Sequence, residues 1–133
     1  MTVALAGRAP ATFEIKSWDE EEFDSGTGMA KLTRATVEKQ YSGDLEATSA
    51  TEWLMAYQPD ETATFVGLER IKGTIGGRHG TLVLQHVGRF EKGAATAELT
   101  VVSGTEDLDG ATGNGRLVAD PNGRISLVIE HSS

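Results

Sequence analysis

The stretch ATFVGLERIKGTIGGRHGTLVLQHVGRFEK, residues 63–92, decides the fold. From Ala63 to Ile75, Phe65, Gly67, Glu69 and Ile71 share one face, while Val66, Leu68, Arg70 and Lys72 share the other. After Gly76-Gly77, residues 79–92 set Leu82, Leu84, His86 and Phe90 against Thr81, Val83, Gln85, Val87 and Arg89. A period of two belongs to strands, whose successive side chains point to opposite faces. The two segments read as partners in one long hairpin, turned at a Gly-Gly pair that accepts positive φ.

The same alternation runs outward in both directions. Phe13 and Ile15 alternate with Thr12, Glu14 and Lys16 in residues 11–18. Segments 30–42, 45–57, 94–103, 115–119 and 124–131 raise the count to about eight strands. Breaks fall at Ser25-Gly26-Thr27-Gly28, Ser42-Gly43-Asp44, Gln58-Pro59-Asp60-Glu61, Glu91-Lys92-Gly93 and Asp120-Pro121-Asn122-Gly123. The 16 glycines beside only 3 prolines fit a chain of many tight turns. Helix is supported only at Trp18–Phe23, as one turn capped by Asp19.

Long strands that are apolar on both faces suit a barrel with a covered or oligomeric outer wall, or a sandwich beside a subunit interface. Closure removes the edges, which favours the barrel. The expected fold is all-β, an eight-stranded antiparallel closed β-barrel. With 133 residues the chain makes one domain, a flexible tail over residues 1–10 followed by a single barrel over 11–133.

The chain carries 20 acidic and 12 basic residues, a net charge of −8. That argues against nucleic acid and against anionic membrane surfaces, which both ask for a basic footprint. No signal sequence or membrane-spanning run is visible, so a cytoplasmic protein is expected. Cysteine is absent, which excludes disulfides, thiolate nucleophiles and cysteine-ligated metals. His79, His86 and His131 lack zinc spacing, and the acidic run Asp19–Glu22 lacks the alternation of a calcium loop. Gly73–Gly80 has glycines but neither the lysine nor the helix of a phosphate loop. No metal and no cofactor is expected.

Several stretches resemble a bacterial family of unknown function, DUF3224. They are Ser42–Ser49 (SGDLEATS), Leu54–Asp60 (LMAYQPD), Phe65–Ile71 (FVGLERI), Gly73–His86 and the opening Phe13–Trp18 (FEIKSW). The likeness begins near Ala11 and loosens after Gly93. It implies an allene-oxide-cyclase-like, calycin-type barrel that is usually a small homo-oligomer. Such barrels are similar to plant cyclases and to some bacterial ones. The family brings no assigned activity, and no catalytic motif of the plant enzymes is recognisable.

Among the residues that could carry chemistry, Glu69 and His86 lead. Each shares its face with large apolar residues, and a turn centred near Gly77 sets position 69 across from about 85 or 86. A carboxylate beside an imidazole in an apolar cavity suits proton transfer. Two other readings stand beside it. The pair satisfies itself as a buried structural contact, or a one-residue slip puts Gln85 inside and His86 outside. Trp53, Met55 and Tyr57, with Thr51 and Ser49, line one face of 45–57 as pocket wall or as plain core. With Phe65, Gly67 and Phe90 they are the candidate ligand-binding residues. Three functions follow: a barrel that holds a small hydrophobic molecule, a cofactor-independent cyclase or isomerase using Glu69 and His86, or an oligomerisation module.

Overall fold

Eight strands follow one another in chain order around a closed antiparallel barrel, and the last pairs with the first. They are β1 (Val3–Asp24), β2 (Lys31–Gly43), β3 (Leu45–Tyr57), β4 (Ala63–Ile75), β5 (Arg78–Glu91), β6 (Ala94–Gly104), β7 (Thr112–Ala119) and β8 (Gly123–Ser132). This computed structural model describes residues 3–25, 30–119 and 123–132, with side chains over 10–25, 30–119 and 123–125. Residues 26–29 and 120–122, which hold most of two expected turns, lie outside the described residues.

The hairpin read at 63–92 is present. Ile75 pairs with Arg78, and Gly76 and Gly77 take φ of +59° and +82°, the double positive φ of the tightest hairpin turn. Alternation then decides what is inside. In β3, Leu45, Ala47, Ser49, Thr51, Trp53 and Met55 are buried and the residues between them are exposed. The same in–out rhythm in β2, β4, β5 and β6 fills the barrel from one face of each strand.

Two expectations need correction. The backbone from Val3 to Pro10 is no loose tail but the first part of β1, which pairs with β8 and closes the ring. Trp18–Phe23 is no helical turn but a continuation of the same strand, paired with Val37 back to Thr33. Pairing of this backbone with β2 outweighs the weak helical preference of a short acidic run. One irregularity in β1 matters for the interior. The register shifts between Ile15 and Ser17, a bulge that inverts the alternation. Beyond it Trp18 lies opposite buried Val37 and Glu20 opposite buried Ala35, on the inward side.

Near β5 and β6 the 3-10 turn Glu106–Leu108 packs one side chain into the barrel, since Leu108 has no exposed surface. On the outer wall, Leu54, Val66, Leu68 and Val87 are each at least half exposed. Among the described residues no helix is long and apolar enough to cross a membrane. Because Leu108 is wholly enclosed, Leu108→Ala is expected to cost about 2–5 kcal/mol. A lowered urea midpoint at constant slope would report this loss, and an unchanged midpoint would show that the turn adds nothing to the core.

Candidate functional site

Alternation turns Glu69 of β4 and His86 of β5 inward, and closure leaves both without exposed surface. Gln85 is the exposed neighbour, so His86 is the residue inside. The register differs slightly from the expected one. Glu69 pairs with Leu84 and His86 pairs with Gly67, which makes the two side chains diagonal neighbours. They still meet, with His86 Nε2 2.8 Å from Glu69 Oε1.

The other carboxylate oxygen is more crowded. The hydroxyls of Tyr41 and Ser49 donate to Glu69 Oε2 at 2.5 and 2.6 Å, and Lys39 Nζ stands 3.5 Å away. Burial pushes the Glu69 carboxyl up, but the Lys39 charge and the His86 and Ser49 hydrogen bonds outweigh it and hold the group at about 2. Burial and the same carboxylate push the Tyr41 phenol well above its usual range.

Trp53 fixes the state of His86. Its Nε1–H donates to His86 Nδ1 at 3.2 Å. An indole nitrogen is only a donor, so Nδ1 is the acceptor and Nε2 carries the proton offered to Glu69. A second proton on the ring would set two N–H groups against each other. Burial accordingly holds His86 below its ordinary value, although Glu69 pulls the other way. Gly67, between Trp53 and His86 in the pairing, makes this reach possible. A Cβ there would lie 2.0 Å from the Glu52 carbonyl oxygen and 2.7 Å from Trp53 Cδ1. The indole also packs on Phe65, with ring centroids 4.7 Å apart.

Lys39 is different from its neighbours. Its ammonium is fully buried between the rings of Phe13 and Trp53, 5.1 and 5.2 Å from their centroids. Its contact with Glu69 lacks hydrogen-bonding geometry, and Nζ has no hydrogen-bond partner. Thr51 Oγ1, one strand away, is buried and unpartnered as well. Burial lowers the Lys39 pKa, against the opposing pull of Glu69.

Of the candidate residues, Glu69, His86, Trp53, Phe65 and Gly67 come together in the interior, and Met55 lies opposite Phe65. Tyr57 and Phe90 stand apart, on either side of Ala63 and only partly buried. Tyr57 joins a separate cluster. Its hydroxyl and that of Thr33 each donate to Glu20 Oε2 at 2.7 Å, and Trp18 Nε1 donates to Oε1 at 3.0 Å. Burial and the Glu20 contact push Tyr57 up to about 12. Sequence reasoning missed Lys39 and Tyr41. The signal was available, since both follow Val37 on one face of β2. Glu20 had none, because the bulge before it inverts the count. Among the described residues no three metal-binding side chains gather.

The sequence profile described as "Protein of unknown function (DUF3224)" matches residues 9–131. A crystal structure of a DUF3224-family protein of unknown function from Shewanella oneidensis MR-1 is similar at 26% identity and a TM-score of 0.83, covering 97% of this chain and all of that one. No curated protein matches.

Two of the buried titratable groups, Glu69 and His86, act in the same direction on stability on the acid side. Glu69, depressed when folded, contributes stability that is full above its unfolded value of 4.5 and is lost as pH falls toward about 2. His86, also depressed, resists the proton that the unfolded chain accepts below 6.5. The urea midpoint is therefore expected to fall as pH drops below about 6.5. In Trp53→Phe the opposing N–H is gone, and the His86 ring should titrate at higher pH in its NMR spectrum. An unmoved titration would contradict the tautomer that Trp53 imposes.

Proposed function

The chain belongs to the DUF3224 family, whose function is unknown, and from that premise we propose that its barrel binds a small, largely apolar molecule inside, with a neutral hydrogen-bond acceptor turned to Lys39. One observation carries the reading: a lysine ammonium with no exposed surface and no hydrogen-bond partner. Leaving buried donors unmet costs about 1–3 kcal/mol, more for a charged group. A carbonyl or ether oxygen of a bound molecule removes that cost, and Thr51 Oγ1 offers a second contact nearby. The acceptor is neutral because Glu69 already balances Lys39, and a further anion would stand uncompensated in a low dielectric. The apolar body faces Trp53, Phe65, Phe13 and Met55.

Tryptophan fluorescence tests this directly. Acetanilide, a neutral aromatic amide, is expected to change it saturably, and Lys39→Met to weaken that binding at least tenfold, a loss of ~1.4 kcal/mol. No saturable change, together with no co-purified ligand by native mass spectrometry, would overturn the reading.

The 2.8 Å contact between Glu69 and His86 favours a second reading, a cofactor-independent cyclase or isomerase that uses them as an acid/base pair. For that chemistry Trp53 must first release His86 Nδ1, because both ring nitrogens are engaged.

The outer wall supports self-association alongside either reading. Leu54, Val66, Leu68 and Val87 are 50–56% exposed and adjoin across β3, β4 and β5. Leu54, Val66 and Leu68 line a groove of about 810 Å³ with Arg34, Glu52 and Arg70, so its rim carries both signs and suits a second copy of the chain. Light scattering is expected to give a multiple of the chain mass, and Leu68→Glu to reduce it to the monomer; a monomeric wild type would refute this.

A further inference from the structure

We propose that Lys39 is a covalent site for an aldehyde or ketone, whose carbonyl carbon its amine captures as an iminium. This deepens, and rests on, the reading that the barrel binds a small molecule with an acceptor oxygen. Three features of the interior point the same way.

The first is the kind of cation the site is built to hold. Lys39 Nζ is enclosed by the faces of Phe13 and Trp53 at 5.1 and 5.2 Å and faces Glu69 Oε2 at 3.5 Å, with no hydrogen-bond partner. Rings and a distant carboxylate stabilise positive charge without asking for N–H groups. An ammonium has three N–H donors to satisfy, whereas an iminium nitrogen keeps one. Condensation therefore preserves the charge the site supports and removes two of the three donors it leaves unmet. The second feature is a proton acceptor beside the amine. Glu69 is the buried carboxylate nearest the amine, 3.5 Å from Nζ, and it serves as a transient proton carrier rather than a resting acid. The third is competition. Lys16 is about half exposed and carries an ion pair, while Lys39 is enclosed, so an apolar carbonyl compound partitions toward Lys39.

The step balances within the site. Lys39 passes a proton to Glu69, and the amine lone pair forms a C–N bond to the carbonyl carbon as the C–O π electrons move to oxygen. That oxygen takes the Glu69 proton. The carbinolamine nitrogen yields its own surplus proton through Glu69 to the hydroxyl, which departs as water with the C–O bonding pair. The nitrogen lone pair then closes C=N⁺. Tyr41 and Ser49 hold Glu69 Oε2 in place during both transfers. No oxidant or reductant is consumed.

The test is reductive trapping. The full-length protein is incubated with trans-cinnamaldehyde, treated with sodium borohydride and mapped by tandem mass spectrometry. The expected product is a secondary amine on Lys39 in preference to Lys16, Lys31, Lys72 and Lys92. It should be lost in Lys39→Arg, and acetanilide, which binds without condensing, should protect the wild type. That protection serves as the control should Lys39→Arg fail to fold. Saturable fluorescence change with cinnamaldehyde but no Lys39 adduct would overturn the iminium and leave the binding reading intact. Neither fluorescence change nor adduct would overturn both. Label spread evenly over all lysines, unprotected by acetanilide, would overturn the iminium as well.

Discussion

Glu69 is a carboxylate with no exposed surface inside a closed barrel, and much of the interior is arranged to keep it charged. An isolated anion in such a place would take up a proton rather than bear the loss of water. Instead four groups from three other strands converge on two oxygens: Lys39 and Tyr41 from β2, Ser49 from β3 and His86 from β5. These strands are adjacent in the ring, so the carboxylate also ties together the longest run of paired wall. Removing one partner of such a buried set typically costs about 3–5 kcal/mol, because the remaining charge is left uncompensated.

Saturation of Glu69 has a consequence for chemistry. Once Trp53 has claimed Nδ1 of His86 and Glu69 has claimed Nε2, the imidazole has no free nitrogen to offer. The pair that first suggests proton transfer is, in this arrangement, fully engaged by its neighbours. The group left with unused bonding capacity is Lys39, held by rings and by charge but by no hydrogen bond.

Much of this was legible in the chain. Alternation in 63–92, the Gly-Gly turn and the inward sides of Trp53, Phe65, Glu69 and His86 all follow from a period of two and a buried face. Lys39 and Tyr41 were legible too, since they continue the face of Val37, but a lysine in an alternating strand is ordinarily on the solvent side. Trp18 and Glu20 were not legible. A single bulge near Lys16 inverts the face of everything after it, and the bulge has no residue signature in this strand. The strand character of Val3–Pro10 was hidden for another reason: its partner, β8, lies at the opposite end of the chain.

By itself the sequence determined the fold class, the boundaries of β2 to β8 to within a few residues and which face of most strands turns inward, because these depend on neighbours along the chain. Tertiary structure alone decided that the ring closes through β1 and β8, that His86 sits diagonal to Glu69 rather than opposite it, and that Trp53 crosses over Gly67 to set the imidazole's tautomer. It also decided that Lys39 is enclosed without a hydrogen bond. Those outcomes depend on register and on distances across the barrel, and a pattern of period two says which side a residue takes but not what it meets there.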